Sequence, residues 1–354
     1  MKKINCIMFI MFMIIFISSF SVKATVNNTT TYQYKDFVYI YRGENIQIID
    51  YYGKNYGKKS KVIVPSEING RKVVKFGYNF YKDKKYYENN VDSLMLWGFI
   101  DDAYVKEIYF PNSIKEIEGM SFVNCKNLKK VVLGNGIKHL DNTTFLNCKN
   151  LEQLKLSESL DEFECCIIDD TKVKRISLGK KIKSFIDNGG DECLQSVNVS
   201  KKNKYYSSKS GVLYNKKKTK IVYYPRCKKN KTLKLPKTIT NIEKYKLSDK
   251  VYLKSVFLPK SMKKIGIGAF FNDNKLSKVI FTGKMNIRIE NKAFIGCKKL
   301  KKITIPKSVK KIGKKAFGYK LNGSKIKGFT IKGYKGTAAE KYAKKNKFKF
   351  VELD

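Results

Sequence analysis

Apolar residues return along this chain at fixed offsets. Counting from Val105, they fall at Ile108, Phe110, Ile114, Ile117 and Phe122. From Leu128 they fall at Val131, Leu133, Ile137, Leu140 and Phe145, and from Leu253 at Val256, Leu258, Met262, Ile265 and Phe270. From Leu300 they fall at Ile303, Ile305, Val309, Ile312 and Phe317, so all four sets share offsets 0, 3, 5, 9, 12 and 17. A repeat of this length opening L-x-x-L-x-L predicts a leucine-rich repeat solenoid. In L-x-x-I-x-I the last two apolar positions alternate, as a half-buried strand requires. Pro111, Pro259 and Pro306 follow directly and end the strand. One such unit cannot bury its apolar edge alone, so neighbours stack into a parallel sheet over a continuous core. Phe122, Phe145, Phe270, Phe294 and Phe317, one per repeat, are expected to stack as an aromatic spine.

Weaker copies keep the register. Leu151, Leu154, Leu156, Leu160 and Phe163 form one; Val173, Ile176, Leu178, Ile182 and Phe185 form another. The copy from Leu276 is one residue longer, an earlier copy runs from Val62 to Phe80, and residues 84–104 fit no copy. About eight copies are convincing. Two segments break the pattern. Residues 196–236 carry GVLYNKKKTKIVYYP between two repeat strands, a hairpin turning near Asn215 to Thr219. At the end, Thr337 is placed to cap a short helix from Ala338 to about Lys345, followed by a strand from Phe348 to Glu352. FVYIYRGENIQIIDYYG reads as a hairpin closing the other end. The expected order is a signal peptide (1–24), an N-terminal β-hairpin cap (25–58), repeats (59–195), an irregular repeat with a hairpin insert (196–236), repeats (237–325) and a C-terminal cap (326–354).

PKSVKKIGKKAF, PNSIKEIEGMSF and PKSMKKIGIGAF resemble the BspA-like leucine-rich repeat family of secreted and surface proteins. NKYYSSKSGVLYNKKKTKIVYYP is similar to a recurrent module of that family, and TIKGYKGTAAEKYAKKNKFKF to its usual C-terminal cap. The resemblance implies export, a solenoid, and adhesive or partner-binding roles, and it implies no reaction.

The front of the chain agrees with export. Met1-Lys2-Lys3, the uncharged apolar run Ile4–Phe20 and Val22-x-Ala24 read as a secretory signal peptide cleaved after Ala24. No later stretch is long and apolar enough for a spanning helix. The formal charge is +44, or +41 without Lys2, Lys3 and Lys23. Such charge points to acidic polymers, acidic glycans, anionic membrane surfaces or extracellular nucleic acid as partners, without specific nucleic-acid recognition. Compositional bias toward Lys, Asn, Ile and Tyr is the other source of the same excess.

Cys125 and Cys148 return at the same place in consecutive repeats, in NCKNL, and Cys297 in GCKKL. Free core thiols are the favoured reading, and a Cys125–Cys148 disulfide is the alternative, since stacked repeats bring equivalent residues within bridging distance. Neither zinc-type cysteine spacing nor a second histidine beside His139 is present, so no metal site and no cofactor are expected. Glu162, Glu164, Asp169 and Asp170 cluster, as paired carboxylates of a glycoside hydrolase would; in so basic a chain they read as charge balance, and the protein as a non-enzyme. Function then rests on the residues between the buried strand positions: Lys106, Tyr109, Lys129, Lys130, Lys174, Arg175, Lys254, Phe257, Lys301 and Lys302. That face suits a protein or an acidic polymer at a cell surface; a merely solvated lysine face is the competing reading.

Overall fold

The computed structural model describes residues 24–26, 29–51, 59–77, 99–100, 102–141, 143–187, 193–283 and 286–354. The leader before Ala24, the end of the early copy at Phe80, and most of the 84–104 unit lie outside the described residues. No described helix is long and apolar enough to cross a membrane.

The repeat register sets the architecture, a β-solenoid. Of the 24 positions in the four strong copies, 22 are buried; Leu140 and Ile312, both at offset 12, are half-buried. Offsets 2 to 4 make a front strand in each turn, with offset 3 pointing inward. Thus Ile108, Val131 and Leu154 lie side by side in parallel register on Glu107–Tyr109, Lys130–Val132 and Gln153–Lys155. A second, shorter strand near offset 12 stacks behind, as in Glu116–Ile117 against His139–Leu140.

The front sheet is not one broad sheet, as the repeat alone implied. It divides into four ladders: Lys61–Ile63 to Gln153–Lys155; Arg175–Leu178 with Ser196–Val199; Thr232–Lys234 to Lys278–Thr282; and Lys302–Thr304 to Lys349–Glu352. Two of the breaks follow changes in repeat length. From Leu151 to Val173 is a step of 22 residues, closed by the tight 3-10 turn Cys165–Ile168, and from Leu276 to Leu300 a step of 24. The step from Val173 to Leu194, 21 residues, keeps its ladder, so the place of the change matters as well as its size. In the Leu276 copy the extra residue falls after Thr282, still in register with Pro259, and before Ile289, which pairs with Ile265.

The phenylalanine spine forms. Phe76, Phe99, Phe122 and Phe145 stack in sequence, with Phe122 and Phe145 centroids 5.4 Å apart. Phe270, Phe294 and Phe317 stack at 4.6 and 4.7 Å. Spine residues are tied to the next turn through the backbone: the N–H of Phe122 donates to Thr144 O, that of Phe270 to Ala293 O, and that of Phe294 to Ala316 O. The residue before each cysteine is the turn residue. Asn124 and Asn147 have φ of 57° and 59°, and glycine fills the same place at Gly296 with φ 83°. Asn and Gly tolerate this left-handed conformation where other residues are strained.

The insert is a sheet of three antiparallel strands, Tyr206–Lys209, Val212–Asn215 and Ile221–Tyr223, rather than one hairpin. The turn lies where the sequence placed it: the Asn215 carboxamide oxygen accepts from the N–H groups of Thr219 and Lys220, both at 2.9 Å. This sheet divides the interior. Leu213 and Tyr223 pack into a core reaching back to Phe37, whereas Val212, Tyr214, Ile221 and Tyr224 pack into one reaching forward to Ala343. Side chains on opposite faces of one strand thus serve two cores.

Both ends are closed. At the front, Ala24–Val26, Thr29–Tyr34, Phe37–Arg42 and Asn45–Tyr51 form an antiparallel meander, two strands more than the expected hairpin. Its last strand pairs in parallel with Arg71–Phe76. At the other end the helix is Ala338–Asn346 and the strand Lys349–Glu352 joins Thr330–Gly333. Thr337 is the N-cap residue, but its hydroxyl donates to Tyr334 O at 2.6 Å rather than accepting from the helix. Glu340, in the first turn, instead reaches back past the N-cap and accepts from Gly336 N at 2.7 Å. The helix also replaces a missing repeat: the Tyr342 phenol accepts from Phe317 N at 3.0 Å and donates to Phe317 O at 2.9 Å.

Candidate functional site

The core polar groups decide what chemistry the interior holds. Cys125, Cys148 and Cys297 are buried and unlinked. Each thiol donates to the carbonyl of the spine phenylalanine in the preceding turn: Cys125 to Phe99, Cys148 to Phe122 at 3.5 Å and Cys297 to Phe270 at 3.2 Å. The recurrence therefore has a structural cause, a small side chain that fits the turn and satisfies an inward carbonyl. The hydrogen bond with Cys148, then burial, pushes the Cys125 thiol well above its ordinary range, and burial does the same to Cys297. Such thiols are poor nucleophiles. Asp273 occupies the equivalent place three residues before Leu276. Burial drives its carboxyl well above the carboxylate range; Oδ1 accepts from Lys250 N at 2.6 Å and Oδ2 has no partner among the described residues. No described group of three or more His, Cys, Asp or Glu side chains could hold a metal ion. His139 is exposed, with Nδ1 3.3 Å from Asp161. Glu162 and Glu164 flank the inward Phe163, while Asp169 and Asp170 sit on an exposed turn.

The outer face of the front strands remains. The ten residues singled out from the sequence are exposed or half-buried, five on the front strands and Lys106, Lys129, Lys174, Lys254 and Lys301 each just before one, and they divide into two chemical settings. On the first ladder Tyr109 is the hub: its hydroxyl donates to Glu107 at 2.6 Å and accepts from Lys130 Nζ at 2.8 Å. Lys61 and Lys130 both lie over its ring, at 5.0 and 5.1 Å. The hydroxyl bond to Tyr109 leads in lowering the Glu107 pKa and in raising that of Lys130. Glu107, the one carboxylate on this ladder against Lys61, Lys130 and Lys155, offsets part of the charge. Lys106 and Lys129 flank the hub, and Arg175 begins the second, separate ladder with Lys174 just before it.

Beyond the insert the face changes. Residues 25–230 hold 37 Lys and Arg against 23 Asp and Glu; residues 231–354 hold 34 against 7, a net +27. Glu352 is the sole carboxylate on the front strands from Thr232–Lys234 to Lys349–Glu352. Across these strands Lys234 stands beside Phe257, and Phe257 beside Ile280. Between Lys278–Thr282 and Lys302–Thr304, where the sheet divides, a cleft of about 620 Å³ opens. Lys278, Lys302, Lys332 and Tyr334 rim it, and Val279, Phe281 and Ile303 reach its floor. Lys278, Ile280, Lys332 and Tyr334 were not among the residues expected from sequence. Lys278 and Ile280 sit at offsets 2 and 4 of the longer copy, so strict extension of the register would have found them.

No curated protein matches this chain. Among solved structures it is similar to the pneumococcal vaccine antigen PcpA, with 17% identity over 92% of this chain and 98% of the other, at a TM-score of 0.52. It is also similar to a leucine rich cell surface protein from Faecalibacterium prausnitzii, with 20% identity, the same coverages and a TM-score of 0.44. A family model described as a BspA type leucine rich repeat region matches in 6 copies, over residues 78–196 and 219–324. With its register, capped solenoid and matched repeats, the chain belongs to the BspA-type leucine-rich repeat family.

Proposed function

We propose that this is an exported, non-catalytic adhesion protein that recognises a partner protein through the front strand face of its second half. One observation carries the reading. From Thr232 to Lys332 the front strands present lysines with no carboxylate among them, interleaved with Phe257 and Ile280. Uncompensated cationic charge around apolar points suits an acidic protein surface with a packed centre. The family and fold are those of binding proteins, typically without enzymatic activity. The surface location of the Faecalibacterium relative and the sequence of residues 1–24 support export.

A second reading, binding of acidic wall polymers or glycans by charge alone, is favoured by the +27 carried by residues 231–354. Salt separates the two. Binding is measured to an immobilised succinylated carrier protein and to polyphosphate, across a series from about 50 to 200 mM salt. Polyanion contact with six or more groups falls by orders of magnitude over that range, whereas a packed apolar centre holds. We expect the carrier to remain bound at the higher salt. Substituting Lys231, Lys234, Lys254 and Lys301 by Ser is expected to abolish that binding; substituting Lys106, Lys129, Lys130 and Lys174 is expected to leave it. Equal losses from the two sets would overturn the reading, and salt-sensitive binding of polyphosphate alone would install the second.

A further inference from the structure

We infer that the cleft between Lys278–Thr282 and Lys302–Thr304 is a specificity pocket for an acidic peptide segment carrying one bulky apolar side chain. The proposal rests on the strand-face reading and gives it a chemical partner. The cleft arises from a local accident of the repeat. The copy from Leu276 holds one residue more than its neighbours, and the front ladder ends at that copy. Behind it the stack continues, through Ile287–Ile289 paired to Val309–Ile312 with a bulge at Ile287 and Arg288. The turns are thus held together at the back and parted at the front.

Parting uncovers core. At offset 5, Leu258 and Ile305 are fully buried, but Phe281 between them is only half-buried and lines the cleft. Beside it Val279 and Ile303, inward residues by register, also line the opening. The volume lies in the range of sites that enclose a small ligand or a large side chain. Among the described residues no carboxylate lines the cleft. Lys278 and Lys302 hold the same offset on adjoining strands, and Lys332, opposite Thr304, stands one strand further along. Three ammonium groups therefore surround an apolar floor. Tyr334 closes one side, with Lys307 Nζ 4.3 Å over its ring.

This combination selects among anions. A phosphate polymer meets the lysines but leaves the exposed part of Phe281 in water. A peptide with carboxylates flanking a Phe or Leu meets both, covering the floor while the lysines stay paired at the rim.

The test uses dye-labelled peptides read by fluorescence anisotropy against the full exported chain at about 150 mM salt, a level at which exposed charges are screened beyond roughly 8 Å. The probes are Glu-Asp-Phe-Glu-Asp, the same peptide with Ser for Phe, and polyphosphate. The Phe peptide is expected to bind at least tenfold tighter than the Ser peptide. Lys302→Glu and Lys332→Glu are each expected to weaken it at least tenfold, and Lys129→Glu by less than twofold. Circular dichroism melts confirm that the variants fold, and exposed Lys302 keeps the test valid should Lys332→Glu not. Equal binding of the two peptides, no binding of either, or equal loss in Lys129→Glu would overturn the proposal. So would tight polyphosphate binding that depends on Lys302 while the Phe peptide is ignored. The strand-face reading fails instead on the lysine-to-serine sets above, none of which touches this cleft.

Discussion

The two halves of the solenoid share one register and differ in what they do with it. Before the insert, Tyr109 gathers Glu107, the one carboxylate on the first ladder, with Lys61 and Lys130 into one cluster. After the insert the front strands carry their lysines with a single carboxylate, Glu352, among them. The cores differ too. The first runs from Phe37 to Tyr223 and the second from Val212 to Ala343, with the insert sheet between them. The lesson is that a repeat keeps its buried positions because neighbours depend on them, while the exposed positions are free to diverge in chemistry. The front sheet parts in both halves, after Gln153–Lys155 and again after Lys278–Thr282, so the halves differ in charge rather than in continuity.

The sharpest way to break this comparison is to damage one core and watch the other. Phe145→Ala and Phe294→Ala should each cost about 3–5 kcal/mol, the range for buried Phe truncation. Hydrogen exchange should rise throughout the half that holds the mutation, because each turn is stabilised by its neighbours, and remain near wild type across the insert. Equal loss of protection in both halves would mean that the insert transmits rather than separates. Unchanged stability would remove Phe145 from the spine.

A smaller effect probes how the second half ends. Tyr342→Phe removes the hydroxyl that satisfies both Phe317 N and Phe317 O. Leaving a buried backbone group unpaired costs about 1–3 kcal/mol, so the melting temperature should fall and exchange should rise first at Phe317 and Thr330–Gly333. Loss in the first half instead would contradict the two-core division.

The smallest effect compares one position across the halves, where the first half has Cys125 and Cys148 and the second has Asp273. The folded-state pKa of Asp273 is raised by burial, so its contribution is fully present below the unfolded carboxylate range and is lost as pH rises through the raised value. Asp273→Asn should therefore stabilise the protein by about 1–2 kcal/mol at neutral pH and bring little gain below the ordinary carboxylate range. Thermal melts across pH check the sign. A variant less stable at neutral pH would show that the carboxylate is satisfied in place.

Much of the core was legible in the spacing of apolar residues. Val131, Leu133 and Phe145 are buried because a strand and a tight turn at fixed offsets leave them no other side, and the same count placed Lys129 and Lys130 outside. The cysteines were legible only as a recurrence, since their carbonyl partners Phe99, Phe122 and Phe270 lie in the preceding turn, some 26 or 27 residues away. The candidate site was half legible. Lys301 and Lys302 followed from the register, but the cleft beside them did not, because the pattern records that a residue was added and not where the strands part.

What the sequence by itself determined is the periodic part: the solenoid, its spine and the basic outer face, all properties of one repeat copied many times. Local pattern suffices there because each turn meets only its neighbours. What the tertiary structure alone decided is everything that depends on two unlike turns meeting. The insert sheet splits the interior because its alternate side chains find a core on each face. Tyr342 closes the last turn because the helix that carries it lies where a further repeat would have been. The cleft at Phe281 opens where the front strands Lys278–Thr282 and Lys302–Thr304 do not pair, while the strands behind them stay paired.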